Sequence, residues 1–194
     1  MPKIIKTDRK KFERYFKDFL EGGVESKTLM VRCYNYHDSL REVLNNLYIS
    51  PLIHTGIIKV RSMENNVNIF EGLAPKNKIK KITQDSILGN KDFTFQIEKR
   101  SYFEDYSDRD VQVFVPIQTI LNCSKEVEKL KRFLKTTDTK TVLITTNDYG
   151  RKPEGLYDYL DEVIILDTSL ESNNLEKMKN LRENISDENG KMPY

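Results

Sequence analysis

The chain has 194 residues, of which 38% are hydrophobic and 32% are charged, and its 32 basic and 30 acidic side chains give a net charge of +2. A chain of this size and composition can bury a core without disulfides or metals, which excludes the small disulfide-stapled and fibrous classes. No apolar run approaches the ~18 residues of a membrane span and no signal-peptide pattern follows the basic N-terminus, so we expect a cytoplasmic protein.

The first segment predicts an amphipathic helix over residues 9–20. Thr7 or Asp8 can cap it, and Gly22 and Gly23 would end it. Apolar residues recur at three- and four-residue spacing and predict its buried face: Phe12, Tyr15, Phe16, Phe19 and Leu20. We interpret the opposite, basic face as a solvated surface rather than a nucleic-acid contact; it carries Arg9, Lys10, Arg14 and Lys17.

Residues 28–62 predict a strand, helix and strand unit of the length that a right-handed crossover needs. The strand at residues 28–34 leads into a helix whose start has the capping-box spacing of Ser39 and Glu42, and Pro51 stops this helix. Cys33 lies in the first strand, and Cys123 lies far away in the sequence. No Cys or His pair at zinc-ligand spacing lies near either of them, so we expect two reduced, buried thiols.

The middle of the chain, residues 64–110, predicts a hairpin or an irregular insertion beside the main sheet rather than another crossover. A predicted exposed loop carries a basic cluster: Lys76, Lys78, Lys80 and Lys81. Aromatic residues follow it: Phe93, Phe95, Tyr102 and Phe103. Two interpretations stay open, namely a solvated loop beside an aromatic core, and a basic groove with aromatic platforms for a nucleic-acid strand.

From Val111 the chain alternates again between apolar strands and helices. Residues 111–117 predict a strand, Ser124 caps the next helix, and residues 141–146 form an apolar, β-branched run typical of a strand covered on both faces. A last helix is predicted by Leu175, Met178, Leu181 and Ile185. The sequence therefore predicts one three-layer α/β domain over residues 1–185, with a mainly parallel sheet and flanking helices, and a polar tail over 186–194.

The polar residues directly after the strand at 141–146 are the first candidates for a binding site. In α/β sheets the carboxyl ends of central strands face the ligand crevice. The candidates are Asn147, Asp148 and Tyr149.

Motifs for familiar catalytic chemistry are missing from the sequence. The turn YNYHDS has neither the glycines nor the lysine of a phosphate loop, and no G-x-S-x-G or H-E-x-x-H occurs. Acidic clusters at residues 103–110 and 157–162 could bind magnesium or transfer protons, but both fall in predicted turns or helix termini. We therefore expect no catalytic residue, no metal and no cofactor.

The order of elements resembles the core of the AAA+ and RecA-like P-loop ATPases over about half the chain. The resemblance rests on the strand and helix of residues 28–48, the strand at 111–117, VLITTND, and LYDYLDEVIILD, which is similar to the family's short helix and edge strand. By position it makes Asn147 a sensor residue beside a nucleotide γ-phosphate. YNYHDS stands in place of the phosphate loop, and VFVPIQT has no acid where the magnesium-binding and catalytic carboxylates would be. The resemblance thus implies a degenerate member, similar to the non-hydrolysing subunits of clamp loaders.

These observations favour a non-catalytic domain that binds a protein partner or nucleic acid, as an inactive ATPase-like subunit of a DNA-processing assembly. The alternative is a metal-dependent nuclease or phosphoryl hydrolase that uses the acidic clusters at the carboxyl edge of the sheet. We expect a protein partner, with nucleic acid as the second candidate, and no membrane contact.

Overall fold

A computed structural model of the chain describes residues 1–22, 25–33, 36–60, 85–88, 91–97, 103–145, 153–168 and 176. The strands are β1 (Lys3–Thr7), β2 (Thr28–Arg32), β3 (Thr55–Val60), β4 (Asp85–Leu88), β5 (Lys91–Ile97), β6 (Val111–Val115), β7 (Lys140–Ile144) and β8 (Glu162–Leu166). The helices are α1 (Arg9–Glu21), α2 (Tyr36–Ile49), α3 (Gln118–Leu121) and α4 (Ser124–Thr136), and a 3₁₀ helix spans Pro153–Tyr159.

The strands form one eight-stranded sheet in the order β1-β8-β2-β7-β6-β3-β5-β4. All neighbours are parallel except β4 and β5, so seven strands end along one side, which we call the carboxyl edge, and begin along the other, the amino edge. The predicted three-layer α/β fold with a mainly parallel sheet is confirmed.

The central strands are buried on both faces. Along β7, Val142 and Ile144 pack into the core under α1 and α2, whereas Leu143 packs into a second core with α4 and the 3₁₀ helix. All three side chains are fully buried. The apolar run was predicted to have this property, because a parallel strand with helices above and below has no solvated face.

Helix α1 forms as its sequence predicts. The Asp8 side chain accepts a hydrogen bond from the Lys11 backbone N–H at 2.9 Å and caps the helix, and Gly22 ends it. Its buried face consists of Phe12, Phe16, Phe19 and Leu20. Burying each of these side chains contributes roughly 1.5–3 kcal/mol, which holds α1 against the sheet.

Several predicted boundaries differ from the structure because tertiary contacts decide them. Helix α2 begins at Tyr36, so Ser39 lies inside its first turn and is fully buried, and the predicted capping box is wrong. Helix α4 begins at Ser124 itself, and its N-cap residue is Cys123. Neither cysteine forms a disulfide; Cys33 is buried as predicted, but Cys123 is exposed at this helix start.

Strand β1 was not predicted, and it changes the position of β8. Strand β1 has five residues, and most of its side chains are exposed, so its sequence shows no alternation of apolar and polar residues that would predict a strand. Its partner β8 lies more than 150 residues later in the chain. Because β1 pairs with one side of β8 and β2 with the other, β8 is an interior strand rather than the edge strand that the resemblance implied.

The predicted hairpin within residues 64–110 is present, and it belongs to the main sheet. Strand β5 lies between β3 and β4 in the sheet, parallel to β3 and antiparallel to β4. Phe93 of β5 is buried against Gly56, where an added Cβ would lie 2.3 Å from its ring. Phe103 is half-buried, and its ring centroid lies 6.4 Å from those of Phe114 and Phe133. These two aromatics therefore belong to the core and are not platforms on a groove.

The predicted helix around residues 175–185 and the tail at 186–194 lie outside the described residues, apart from Glu176, which is helical.

Candidate functional site

A buried polar cluster at the carboxyl edge joins the ends of three neighbouring strands. Asp38, in the first turn of α2, is 6% exposed. One carboxylate oxygen lies 3.2 Å from Arg9 Nη2, and the other accepts a hydrogen bond from Thr168 Oγ1 at 3.0 Å. Arg9, Asp38 and Thr168 follow β1, β2 and β8, which are adjacent in the sheet, so the parallel topology brings them together.

The cluster balances its own charges. Arg9 also pairs with Glu42 of α2, and Arg41 Nη2 lies 3.2 Å from the Asp38 carboxylate. Two guanidinium groups therefore face two carboxylates. Because desolvated charges are costly unless they are paired, this mutual pairing is what allows Asp38 to be buried.

Arg32 is another buried polar side chain at the carboxyl edge, and it lies on the opposite face of the sheet from Asp38. It is the last residue of β2, is 2% exposed, and donates to Glu154 Oε1 at 2.8 Å and to the Tyr157 hydroxyl. Its guanidinium also lies 5.8 Å from the centre of the Tyr157 ring. Arg32 thus fixes the 3₁₀ helix over the carboxyl end of β2.

The end of β7 lies beside the end of β2. Val31 pairs with Ile144, and the Thr145 backbone N–H donates to the Val31 carbonyl at 3.1 Å. The chain therefore leaves β7, toward Asn147, Asp148 and Tyr149, beside the carboxyl end of β2. Those three residues lie outside the described residues, as do the basic-loop residues Lys76, Lys78, Lys80 and Lys81.

The acidic clusters lie at the amino edge, not at the carboxyl edge where the alternative function placed them. Asp161, before β8, accepts from the Thr28 backbone N–H at 2.8 Å and hydroxyl at 2.9 Å, and its own N–H donates to that hydroxyl at 3.0 Å. Asp110, before β6, makes the same reciprocal arrangement with Thr55 at the start of β3. Each aspartate fixes the register of a neighbouring strand.

Asp105 also lies at the amino edge of the sheet. Its carboxylate accepts from Gln112 Nε2 at 2.7 Å, Thr137 Oγ1 at 3.1 Å and the Asp138 backbone N–H at 3.1 Å. Burial raises the pKa of the Asp105 carboxyl, but these hydrogen bonds and one from Thr139 outweigh burial and hold the pKa below its ordinary value.

Two lysines at the amino edge cap helix C-termini. Lys140 Nζ donates to the Phe19 carbonyl at 2.8 Å, in the last turn of α1, and to the Ser26 carbonyl at 2.6 Å, before β2. Lys91 Nζ donates to the Leu47 carbonyl at 2.8 Å and also to the Ser50 carbonyl, at the end of α2. Burial lowers the pKa of both ammonium groups, while nearby acids oppose the shift.

Lys59 is a further buried cation, on β3. It is fully buried, donates to the Glu104 carbonyl at 2.5 Å, and lies 4.7 Å from the Tyr106 ring centre and 4.8 Å from that of Phe114. These contacts tie the loop before β6 to the second core.

No family model, curated protein or solved structure matches this chain. The site must therefore be interpreted from its own geometry. Within the described ranges, no group of three or more His, Cys, Asp or Glu side chains could hold a metal ion. No helix in the described part of the chain is long and apolar enough to cross a bilayer.

The sequence interpretation placed Asp38 in a turn and Arg9 on a solvated face, and it did not single out Thr168. The available signal was positional, since each residue follows the carboxyl end of a strand. Because β1 was not predicted and β8 was taken as an edge strand, that signal could not place the three residues together.

Proposed function

We propose that this chain is a non-catalytic binding domain, an inactive ATPase-like subunit of a DNA-processing assembly. The observation that best supports this function is the buried Asp38 carboxylate in the first turn of α2. In the ATPase resemblance, this turn would hold nucleotide phosphates on backbone N–H groups at the positive end of the helix. Here an acid, Asp38, lies in that first turn, and its carboxylate already engages Arg9, Arg41 and Thr168, so the neighbouring cations are paired within the protein rather than open to a phosphate.

The sheet topology supports the same relationship. A sensor residue can reach the γ-phosphate only if its strand neighbours the strand before the phosphate loop. Strands β2 and β7, which correspond to these two, are parallel neighbours with Val31 opposite Ile144.

The end of β6 supports the loss of hydrolysis. The resemblance would require carboxylates there to hold magnesium and activate water. Val115, Pro116 and Ile117 occupy this position, and all three are buried.

The alternative, a metal-dependent hydrolase built on the acidic clusters, has less support. Asp105, Asp110 and Asp161 lie at the amino edge and accept hydrogen bonds from strand-terminal backbone and side-chain groups. These bonds engage both carboxylate oxygens of Asp105 and the Oδ2 atoms of Asp110 and Asp161, which fixes all three side chains to strand ends rather than around a common metal position.

The test is a sensitive ATP turnover assay with magnesium, combined with calorimetric titration of ATP. We expect no turnover above background and at most weak binding, because the turn YNYHDS lacks the glycines and lysine of a phosphate loop and Asp38 already engages the cations beside it. Asn147→Ala should change neither result, and Asp108→Ala, on an exposed acid, serves as the matched control. Turnover by the parent that Asn147→Ala abolishes and Asp108→Ala preserves would refute the proposal.

A further inference from the structure

We propose that β1 and the outer face of α1 form a surface that binds the phosphate backbone of duplex nucleic acid; this inference rests on the binding function proposed above. Residues 1–17 carry seven basic and two acidic side chains, a net charge of +5, in a chain whose total is +2. The remaining residues are therefore net negative. Such an asymmetry concentrates positive potential at one end of the molecule.

The structure gathers these cations on one surface. An open depression of about 650 Å³ beside the carboxyl end of β1 is lined by Lys6, Thr7, Asp8, Arg9, Lys10, Lys11 and Asp167. Arg14 and Lys17 continue from Lys10 along the exposed face of α1, at about one positive charge per 5.4 Å turn. We call the group Lys6, Lys10, Lys11 and Arg14 the basic patch.

Few carboxylates neutralise the positive charges of the basic patch. Among the described residues, no carboxylate pairs with Lys6, Lys10 or Arg14. Lys11 lies 3.9 Å from Asp8, and both side chains are more than half exposed, so this ion pair is weak. Arg9, by contrast, is engaged by Asp38 and Glu42 and helps to hold α1 in place.

The position of these charges is unfavourable for the isolated fold. Apart from the N-cap Asp8, the start of α1 contains no acid, and Arg9, Lys10 and Lys11 all lie at the positive end of the helix dipole. Sequences commonly break a local stability rule at functional sites, where a ligand compensates for it. A polyanion on the basic patch would provide that compensation.

Duplex backbone fits this surface better than other anionic partners. The outer face of α1 exposes charged side chains, while its apolar residues are buried in the core, so this helix offers a protein partner no apolar anchor and β1 adds only the exposed Ile4. A single strand would need aromatic side chains for base stacking, and Tyr15, the one tyrosine of α1, packs against the core. Phosphate contacts need only accessible cations.

The experiment measures fluorescence anisotropy of a labelled duplex of about 20 base pairs between about 50 and 200 mM salt, with the full chain. The patch variant is Lys6→Ala, Lys10→Ala, Lys11→Ala and Arg14→Ala. The matched control removes four exposed cations from α4: Lys125→Ala, Lys129→Ala, Arg132→Ala and Lys135→Ala. Circular dichroism confirms that both variants are folded.

We expect the patch variant to weaken binding and to reduce the slope of log affinity against log salt by about three to four, since each phosphate contact contributes ~0.9. The control should keep the slope of the parent. Absence of duplex binding by the parent at low salt, or equal slopes for parent and patch variant, would overturn the inference. Equal competition by polyglutamate of matched charge would also overturn it, because the surface would then accept any polyanion.

A third variant separates this inference from the proposed function. It replaces Lys76, Lys78, Lys80 and Lys81 with Ala. If this variant loses the salt slope and the patch variant keeps it, nucleic-acid binding stands but the basic patch is not the site. The ATP assay is independent of both variants, so catalytic turnover would contradict the proposed function whatever the duplex result.

Discussion

Asp105 gives a pH-dependent prediction from a single carboxylate. Its pKa is lower in the folded chain than the ordinary value of about 3.9, because hydrogen bonds to the ionised form outweigh burial. The ionised group therefore stabilises the fold above that ordinary pKa, and the stabilisation is lost as pH falls through the lower, folded pKa. We expect the free energy of unfolding to fall less steeply below about pH 4 in Asp105→Asn than in the parent. Denaturant titrations at a series of pH values measure this slope.

The control for this experiment is Asp108→Asn. Asp108 is exposed, and its carboxylate lies 3.5 Å from Arg109 Nε. This variant should reproduce the pH dependence of the parent. If Asp105→Asn also does so, the hydrogen bonds to Asp105 do not favour its ionised form.

At the residue scale, the sequence shows which side chains are polar but not what they contact. Asp161 and Thr28 are separated by 133 positions, and Asp38 and Thr168 by 130. Only the strand order brings them together. The acidic clusters could therefore be recognised from the sequence, whereas their role in fixing strand register could not.

Lys140 gives a prediction at the scale of a helix and the strand beneath it. It begins β7, and its ammonium group donates to the Phe19 carbonyl in the last turn of α1, where the helix dipole favours a cation, and to the Ser26 carbonyl before β2. Lys140→Met keeps the aliphatic stem and removes the donor, leaving those carbonyls without that partner. We expect a loss of about 1–2 kcal/mol in the free energy of unfolding, measured by chemical denaturation.

Lys125→Met provides the comparison, because Lys125 is an exposed lysine in the first turn of α4. It should change the free energy of unfolding by less than about 0.5 kcal/mol. Equal stabilities for the two variants would mean that the Lys140 contacts contribute nothing.

At the element scale, the spacing of apolar residues predicts a helix or strand when the burial of those residues is what holds it in place. Helix α1 and strand β7 meet this condition, since each buries an apolar set of the expected period. Strand β1 does not, because it is held by pairing with β8 while most of its side chains stay exposed. The start of α2 was also predicted too late, since Ser39 is buried in its first turn rather than capping it.

The whole molecule divides its polar groups between the two edges of the sheet. At the amino edge, aspartates bind strand starts and lysines bind helix ends, so these charges stabilise the fold. At the carboxyl edge, the Asp38 cluster and the basic patch lie beside the ends of β1, β8 and β2. In parallel sheets this is the edge that faces ligands. The division supports a search for partners at the carboxyl edge.

The three-layer architecture makes a prediction about β7 that a one-sided sheet would not satisfy. Leu143 and Ile144 are both fully buried but belong to different cores, on opposite faces of the sheet. Each truncation to Ala should leave a cavity and lower the free energy of unfolding by ~2–4 kcal/mol. Chemical denaturation of Leu143→Ala and Ile144→Ala measures both losses, and Ile4→Ala, on the exposed strand β1, should cost less than about 0.5 kcal/mol. If either β7 variant resembles Ile4→Ala, one face of the central sheet lacks a helix layer, and the proposed ATPase-like relationship loses its structural basis.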